Sequence, residues 1–167
     1  DPIVKFIFNA IDKTSGIDHY EVQIDNNSPE IWKDDGKHIY STLAEDGGTH
    51  ALLVRAVDKA GNFIVNSAEF AIEALEAPVI TDYPSELQSG EVLAVKGETK
   101  YFNSQAVLSL QNENGVIKSY SSKADKDGYF TVVSNDRLKD GIYTAWAQIV
   151  DGRGAKSLSS EKITISV

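Results

Sequence analysis

Displaced by 93 residues, the chain meets its own pattern without a gap. His50 falls on Tyr143, Val57 on Val150, Asp58 on Asp151 and Gly61 on Gly154. Further on, Ser67 meets Ser160, Phe70 meets Ile163 and Ile72 meets Ile165. Each copy reads as an Asp-Gly turn, an alternating strand, a second turn carrying Asp and Gly, and a final strand. A hairpin that recurs in register calls for two similar folding units rather than one merged core. The first unit's last strand is expected at Ala68–Glu73, and Ala77-Pro78 opens the second. This gives one domain over residues 1–76 and another over 77–167. The link from Ala74 to Pro78 is short and its proline stiffens it, so the domains are expected end to end with limited bending. At roughly 75 to 90 residues each, they sit near the lower size for folding without staples.

Turn pairs punctuate both halves: Asp35-Gly36, Asp46-Gly47-Gly48, Gly61-Asn62, Asn114-Gly115, Asp127-Gly128, Asp140-Gly141 and Asp151-Gly152. Asn-Gly and Asp-Gly tolerate the positive φ of tight turns, so these pairs are expected to close hairpins. Between them the apolar residues alternate. Tyr20, Val22 and Ile24 share one face against Glu21 and Gln23, and Ala106–Leu110 and Lys162–Val167 behave likewise. Period-two patterning of this kind marks half-buried antiparallel strands, and no stretch sustains a helical period. The fold class is therefore all-β, with two tandem β-sandwiches.

Composition removes several function classes. The chain has no cysteine, which excludes disulfides, Cys-ligated zinc and thiol catalysis. The net charge of −9 argues against a nucleic-acid partner, which needs a basic stripe. Acidic residues outnumber basic ones 14 to 6 up to Ala77 but only 11 to 10 beyond it. That asymmetry reads first as solubility of an exposed module, and more sharply as a face for a cation or a basic partner. With no methionine at all, the chain reads as a processed product or an excised fragment. No apolar run approaches the ~18 residues of a membrane span and no signal peptide opens the chain, so any targeting or anchoring segment is expected outside it.

The first unit carries Ser15-Gly16-Ile17-Asp18-His19-Tyr20-Glu21-Val22, then Gly48-Thr49-His50 followed by Val54-Arg55-Ala56-Val57-Asp58-Lys59-Ala60-Gly61-Asn62. The second carries Val95-Lys96-Gly97, Ala124-Asp125-Lys126-Asp127-Gly128-Tyr129-Phe130, Leu138-Lys139-Asp140-Gly141-Ile142-Tyr143-Thr144-Ala145 and Ser157-Leu158-Ser159-Ser160. These stretches resemble the immunoglobulin-like (Ig-like) domains found in tandem in bacterial surface and secreted proteins, over nearly the whole chain. The resemblance implies two Ig-like β-sandwiches at the cell surface or outside the cell, monomeric, with the flanking domains of a parent protein as partners. It implies a non-catalytic structural or spacer module. The alternatives are an adhesion or carbohydrate-binding module with a surface glycan or protein as ligand, and an accessory domain of a secreted polysaccharide-degrading enzyme. Related surface domains hold internal Lys–Asn isopeptide bonds, for which the sequence nominates no pair. Such motifs specify fold well and function poorly.

The residues offer little chemistry. There is no Gly-x-Ser-x-Gly elbow, no His-Glu-x-x-His and no phosphate-binding or dinucleotide loop. All three histidines, His19, His38 and His50, lie in the first unit, and His19 is out of phase with the core set and expected to face solvent. No catalytic residue, cofactor or metal site is therefore assigned. Asp125-Lys126-Asp127-Gly128 lacks the later ligands of a calcium loop and reads as a turn, while Asp12, Asp18 and Asp58 are three carboxylates whose convergence at one sandwich end would suit a cation. Tyr143 stands where a tyrosine corner would pack inward and bond back to the backbone, with His50 in the matching place as a core-edge residue. Asp58 and Asp151 begin tight turns whose amides they can cap. Two ligand-binding candidates remain. Trp146 falls between Thr144 and Gln148 on the outward face and is either a sugar platform or a packing residue; Trp32, after Ser28-Pro29, reads mainly as a plug for the first core. Tyr101-Phe102 is expected to cover a sandwich end.

Overall fold

Alternation decides which face of each strand is inside. In the computed structural model, which describes residues 1–167, Tyr20, Val22 and Ile24 are buried, whereas Glu21 and Gln23 between them are only half-buried. The chain divides into two units, Asp1–Glu73 and Ala74–Val167, and all regular structure is β. Residues 74–76 side with the second unit. Leu75 bridges Ser157, and the Glu76 N–H donates to the Tyr101 hydroxyl at 2.9 Å.

Unit 1 contains β1 (Lys5–Ile7), β2 (Ile17–Ile24), β3 (Glu30–Trp32), β4 (Ile39–Ser41), β5 (Gly48–Asp58) and β6 (Phe63–Ile72). One sheet runs β3-β2-β5-β6, and the other is the pair β1-β4. Unit 2 contains β7 (Val79–Asp82), β8 (Ala94–Glu98), β9 (Gln105–Asn112), β10 (Ile117–Lys123), β11 (Tyr129–Val133), β12 (Ile142–Val150) and β13 (Ile163–Ser166). Its sheets run β10-β9-β12-β13 and β11-β8-β7. The two orders superimpose strand for strand, except that β7 has no counterpart in unit 1. Each unit is thus an Ig-like sandwich, and the duplication seen in the sequence extends to its strand pairing.

The cores differ in completeness. In unit 2, Leu93, Val95, Leu108, Val132, Ile149 and Ile165 are sealed from solvent between the sheets. In unit 1 the fully packed set is smaller: Tyr20, Val22, Ile24, Tyr40, Leu52 and Ala56, with Phe6, Phe8 and Trp32 against them.

The turn pairs do less than expected. Gly61-Asn62 and Asn114-Gly115 close hairpins between bonded neighbours, β5–β6 and β9–β10. Asp151-Gly152 turns β12 back towards β13. Asp35-Gly36, Asp46-Gly47-Gly48, Asp127-Gly128 and Asp140-Gly141 instead carry the chain from one sheet to the other. The dipeptide sets the local φ, but the sheet that the next strand joins is decided by which face it must bury. The last strand of unit 1 also begins at Phe63, five residues before the expected Ala68.

Candidate functional site

The duplicated hairpin is built from equivalent hydrogen bonds. In unit 1, Asp58 Oδ1 accepts from the N–H groups of Ala60 and Asn62, each at 2.8 Å. In unit 2, Asp151 Oδ1 accepts from Arg153 at 2.8 Å and Ala155 at 3.0 Å, the same offsets. Gly61 and Gly154 both take φ 88°, the left-handed region that a side chain disfavours. The Asn62 side-chain amide and the turn N–H groups hold Asp58 below the usual carboxylate range. Asp151 is held down by the Arg153 guanidinium and the turn amides against the opposing effect of its burial.

The strands before these turns start from a second shared device. Tyr143 donates its hydroxyl to the Lys139 carbonyl at 3.1 Å, forming the corner, while its ring packs on the core of unit 2. The His50 side chain is 11% exposed. Nε2 lies 2.8 Å from the Asp46 carbonyl and Nδ1 2.7 Å from Asp25 Oδ2, and the ring stacks on Phe70 at 5.3 Å. Both ring nitrogens therefore face acceptors, an arrangement that the doubly protonated ring satisfies on both sides. The Asp25 carboxylate and the Asp46 carbonyl raise the imidazole's pKa above its ordinary value. Asp25 is lowered in turn by the Ala51 N–H, at 2.8 Å, and by His50.

The remaining carboxylates nominated from sequence are similarly engaged. The Thr14 hydroxyl donates to Asp12 Oδ1 at 2.7 Å, and the Thr14 and Ser15 N–H groups donate to it at 2.6 and 2.9 Å, which pulls its pKa far down. The Ser15 hydroxyl donates to Asp12 Oδ2 at 3.4 Å, whereas Asp18 pairs with His19 Nδ1 at 2.7 Å. The three aspartates therefore do not gather into a group that could hold a cation. Asp125 caps the N–H groups of Asp127 and Tyr129, both at 2.9 Å. His19 lies on the outer face, yet its side chain is only 19% exposed because Asp18 and Glu21 flank it.

The two tryptophans have different surroundings. Trp32 lies in an aromatic cluster with Phe8, Tyr20 and Tyr40, ring centroids 5.2, 5.3 and 5.9 Å away. Trp146 is half-buried opposite Ser109, with the Lys162 ammonium 5.0 Å from its ring centroid, so one approach to the ring is already taken by a cation. Tyr101 packs on the core of unit 2, whereas Phe102 projects into solvent.

The sequence reading missed a concavity in unit 1. A groove of about 630 Å³ opens in unit 1 between the stretch Phe6–Asp12 and the inner faces of β5 and β6. Phe6, Phe8, Leu52, Val54 and Ile64 make it apolar, and Asp12 and Asp58 also line it. The available signal was Phe63-Ile64-Val65, three apolar residues where the repeat places Lys156-Ser157-Leu158.

No family model and no curated protein matches the chain. Among solved structures, it is similar to the chicken interferon gamma receptor alpha chain at 11% identity, covering 98% of this chain and 91% of that one, with TM-score 0.45. A tetra-tandem repeat from the extending region of a large adhesion protein is 15% identical, with 99% and 48% covered and TM-score 0.44. Fibronectin(III)-like modules of Clostridium thermocellum CbhA are 12% identical, with 95% and 82% covered and TM-score 0.39. The chain spans about half of the adhesion-protein fragment. Likenesses of this strength carry no argument about ligands.

Proposed function

We propose that the chain is a non-catalytic structural module of a cell-surface or secreted protein, holding neighbouring domains of its parent apart through two Ig-like units. One observation carries this reading: the features common to both units are the ones that fix turns and strands. Asp58 and Asp151 cap equivalent turns, and His50 and Tyr143 tie equivalent strand starts to the backbone. Polar side chains that recur in both halves thus serve the fold itself. Trp146, with Lys162 against its ring, belongs to the same structural account.

A glycan array tests the reading against a carbohydrate-binding role. The intact chain and its Trp146→Ala variant are expected to give equally flat profiles. A saturable glycan signal that disappears in Trp146→Ala would replace the spacer by a lectin-like module.

A further inference from the structure

The outer face of the four-stranded sheet in unit 1 carries one row that reads apolar, acidic, basic, apolar. Strand pairing sets Ile31 beside Glu21, Glu21 beside Arg55 and Arg55 beside Val65, across β3, β2, β5 and β6. Ile31 is 70% exposed, and Val65, Leu53 and Phe63 on the same face are exposed with it. The charged pair at the centre is incompletely satisfied. Arg55 donates to Glu21 Oε2 through Nη1 alone, at 3.1 Å, while its Nε is buried without a partner. The guanidinium carbon lies 3.7 Å from the Phe63 ring centroid, which holds the cation in place on the face. Glu21 Oε1 meets only His19 Nε2, 3.9 Å away. Unit 2 has no such row. The residues paired at the same sheet positions there are Ser121, Val107 and Gln148, and Gln148 donates its side-chain amide to the Ser157 carbonyl at 3.1 Å. Nor does the openness of this face depend on what lies beside β6. In unit 2 Leu75 bonds alongside Leu158, the position equivalent to Val65, and Leu158 is still 63% exposed.

A row of this order is its own complement. Turned over about an axis parallel to the strands and midway between β2 and β5, the sheet sets Glu21 against Arg55 of a second copy and Ile31 against its Val65. We propose that this face is an isologous contact between two copies of the chain, with two reciprocal Glu21–Arg55 bonds at its centre and apolar residues at both margins. Arginine suits the place because its fork can serve two carboxylates, one from each copy. A weak dimer thus stands in place of the monomer that the resemblance implies. Size sets its strength. Four strands about 4.8 Å apart, at the length of β2, present roughly 500 Å² per copy, so about 1,000 Å² is buried in all, the range of weak association.

Sedimentation equilibrium of the full chain, from micromolar to millimolar concentration, tests the contact. The expected result is a reversible step from monomer to dimer. Charge exchange locates it. Arg55→Glu alone and Glu21→Arg alone each bring like charges together across the two-fold, and each is expected to weaken self-association about tenfold or more. Mixed in equal amounts, the two variants offer opposite charges to one another, so a mixed dimer of about wild-type strength is expected. An ion pair that served only the fold of unit 1 would be damaged in both variants and would gain nothing on mixing. Ile31→Asp, at an exposed position that needs no repacking, is expected to weaken the wild-type dimer about tenfold while unit 1 still melts cooperatively. A chain that stays monomeric at millimolar concentration would overturn the proposal. So would a dimer indifferent to Ile31→Asp, or charge variants that do not pair when mixed.

Discussion

His50 and Tyr143 make the same bond 93 residues apart: each ties its ring to the carbonyl four positions upstream, Asp46 at 2.8 Å and Lys139 at 3.1 Å. A phenol and an imidazole are interchangeable there because the site asks for an aromatic ring with a donor at its far end. They differ in one respect. The imidazole has a second nitrogen, and Asp25 is placed to meet it.

That difference makes unit 1 sensitive to pH. His50 has a folded-state pKa above its ordinary 6.5, so its contribution is complete below pH 6.5 and is lost as pH rises through the raised value. Asp25 has a folded-state pKa below its ordinary 3.8, so its contribution is present above pH 3.8 and is lost as pH falls through the lowered value. The pair therefore stabilises most between those limits. The melting-temperature gap between wild type and His50→Asn is expected to be widest near pH 5 and to narrow towards pH 9. A gap constant across that range would show that the imidazolium is not what holds the strand.

Gly97 and Gly128 are expected to resist replacement for different reasons. A Cβ at Gly97 would overlap the Phe130 ring and lie 2.6 Å from the Val79 carbonyl, so Gly97→Ala must push β7 and β11 away from β8. Gly128 has φ 89°, and its Cβ would run into the Thr99 carbonyl. Each alanine variant is expected to cost at least about 2 kcal/mol of unit 2 stability, read by denaturant titration of Trp146 fluorescence.

Asp58→Ala and Asp151→Ala each leave two turn amides without their acceptor. A loss of about 2 kcal/mol in the unit concerned is expected, because bonds to a charged acceptor are the stronger kind. Both aspartates are held below the normal carboxylate pKa, so the penalty should be present at neutral pH and fade as pH falls through their folded values. Double-variant melts that add independently would confirm that the two turns act within separate units.

Leu108 is sealed at 0% exposure between the sheets of unit 2. Leu108→Ala is expected to destabilise that unit by about 3 kcal/mol, through lost transfer energy and the cavity left behind. Val54→Ala, facing the open groove of unit 1, should cost clearly less, since water already reaches its neighbours. Equal costs would mean that the groove is closed in solution.

Much of this fold could be read from the residues because alternation and burial are both local to a strand. Tyr20-Val22-Ile24 and Ala145-Ala147-Ile149 announce their inner faces directly. The three-residue strands β1, β3 and β4 are too short to alternate visibly, and their pairing comes from partners distant in sequence. Residue matches across the repeat also mislead in places. Ser160 bonds the backbone of β12 through Oγ, 2.9 Å from the Ala147 N–H, whereas Ser67 sits exposed in a regular ladder. The groove was hidden for the same reason: its walls, the stretch Phe6–Asp12 and the strands β5 and β6, come from parts of the chain distant in sequence. Nor did spacing show Lys162 meeting Trp146, since that contact joins β12 to the residue just ahead of β13.

The inequality of the two interiors bears on extensibility. Six side chains form the enclosed set of unit 1 and fifteen that of unit 2, so the halves hold their shape with different reserves. If the chain bears load as the proposed spacer, it is expected to lengthen in instalments: the half with the smaller enclosed set yields first and releases slack, while the other keeps the load.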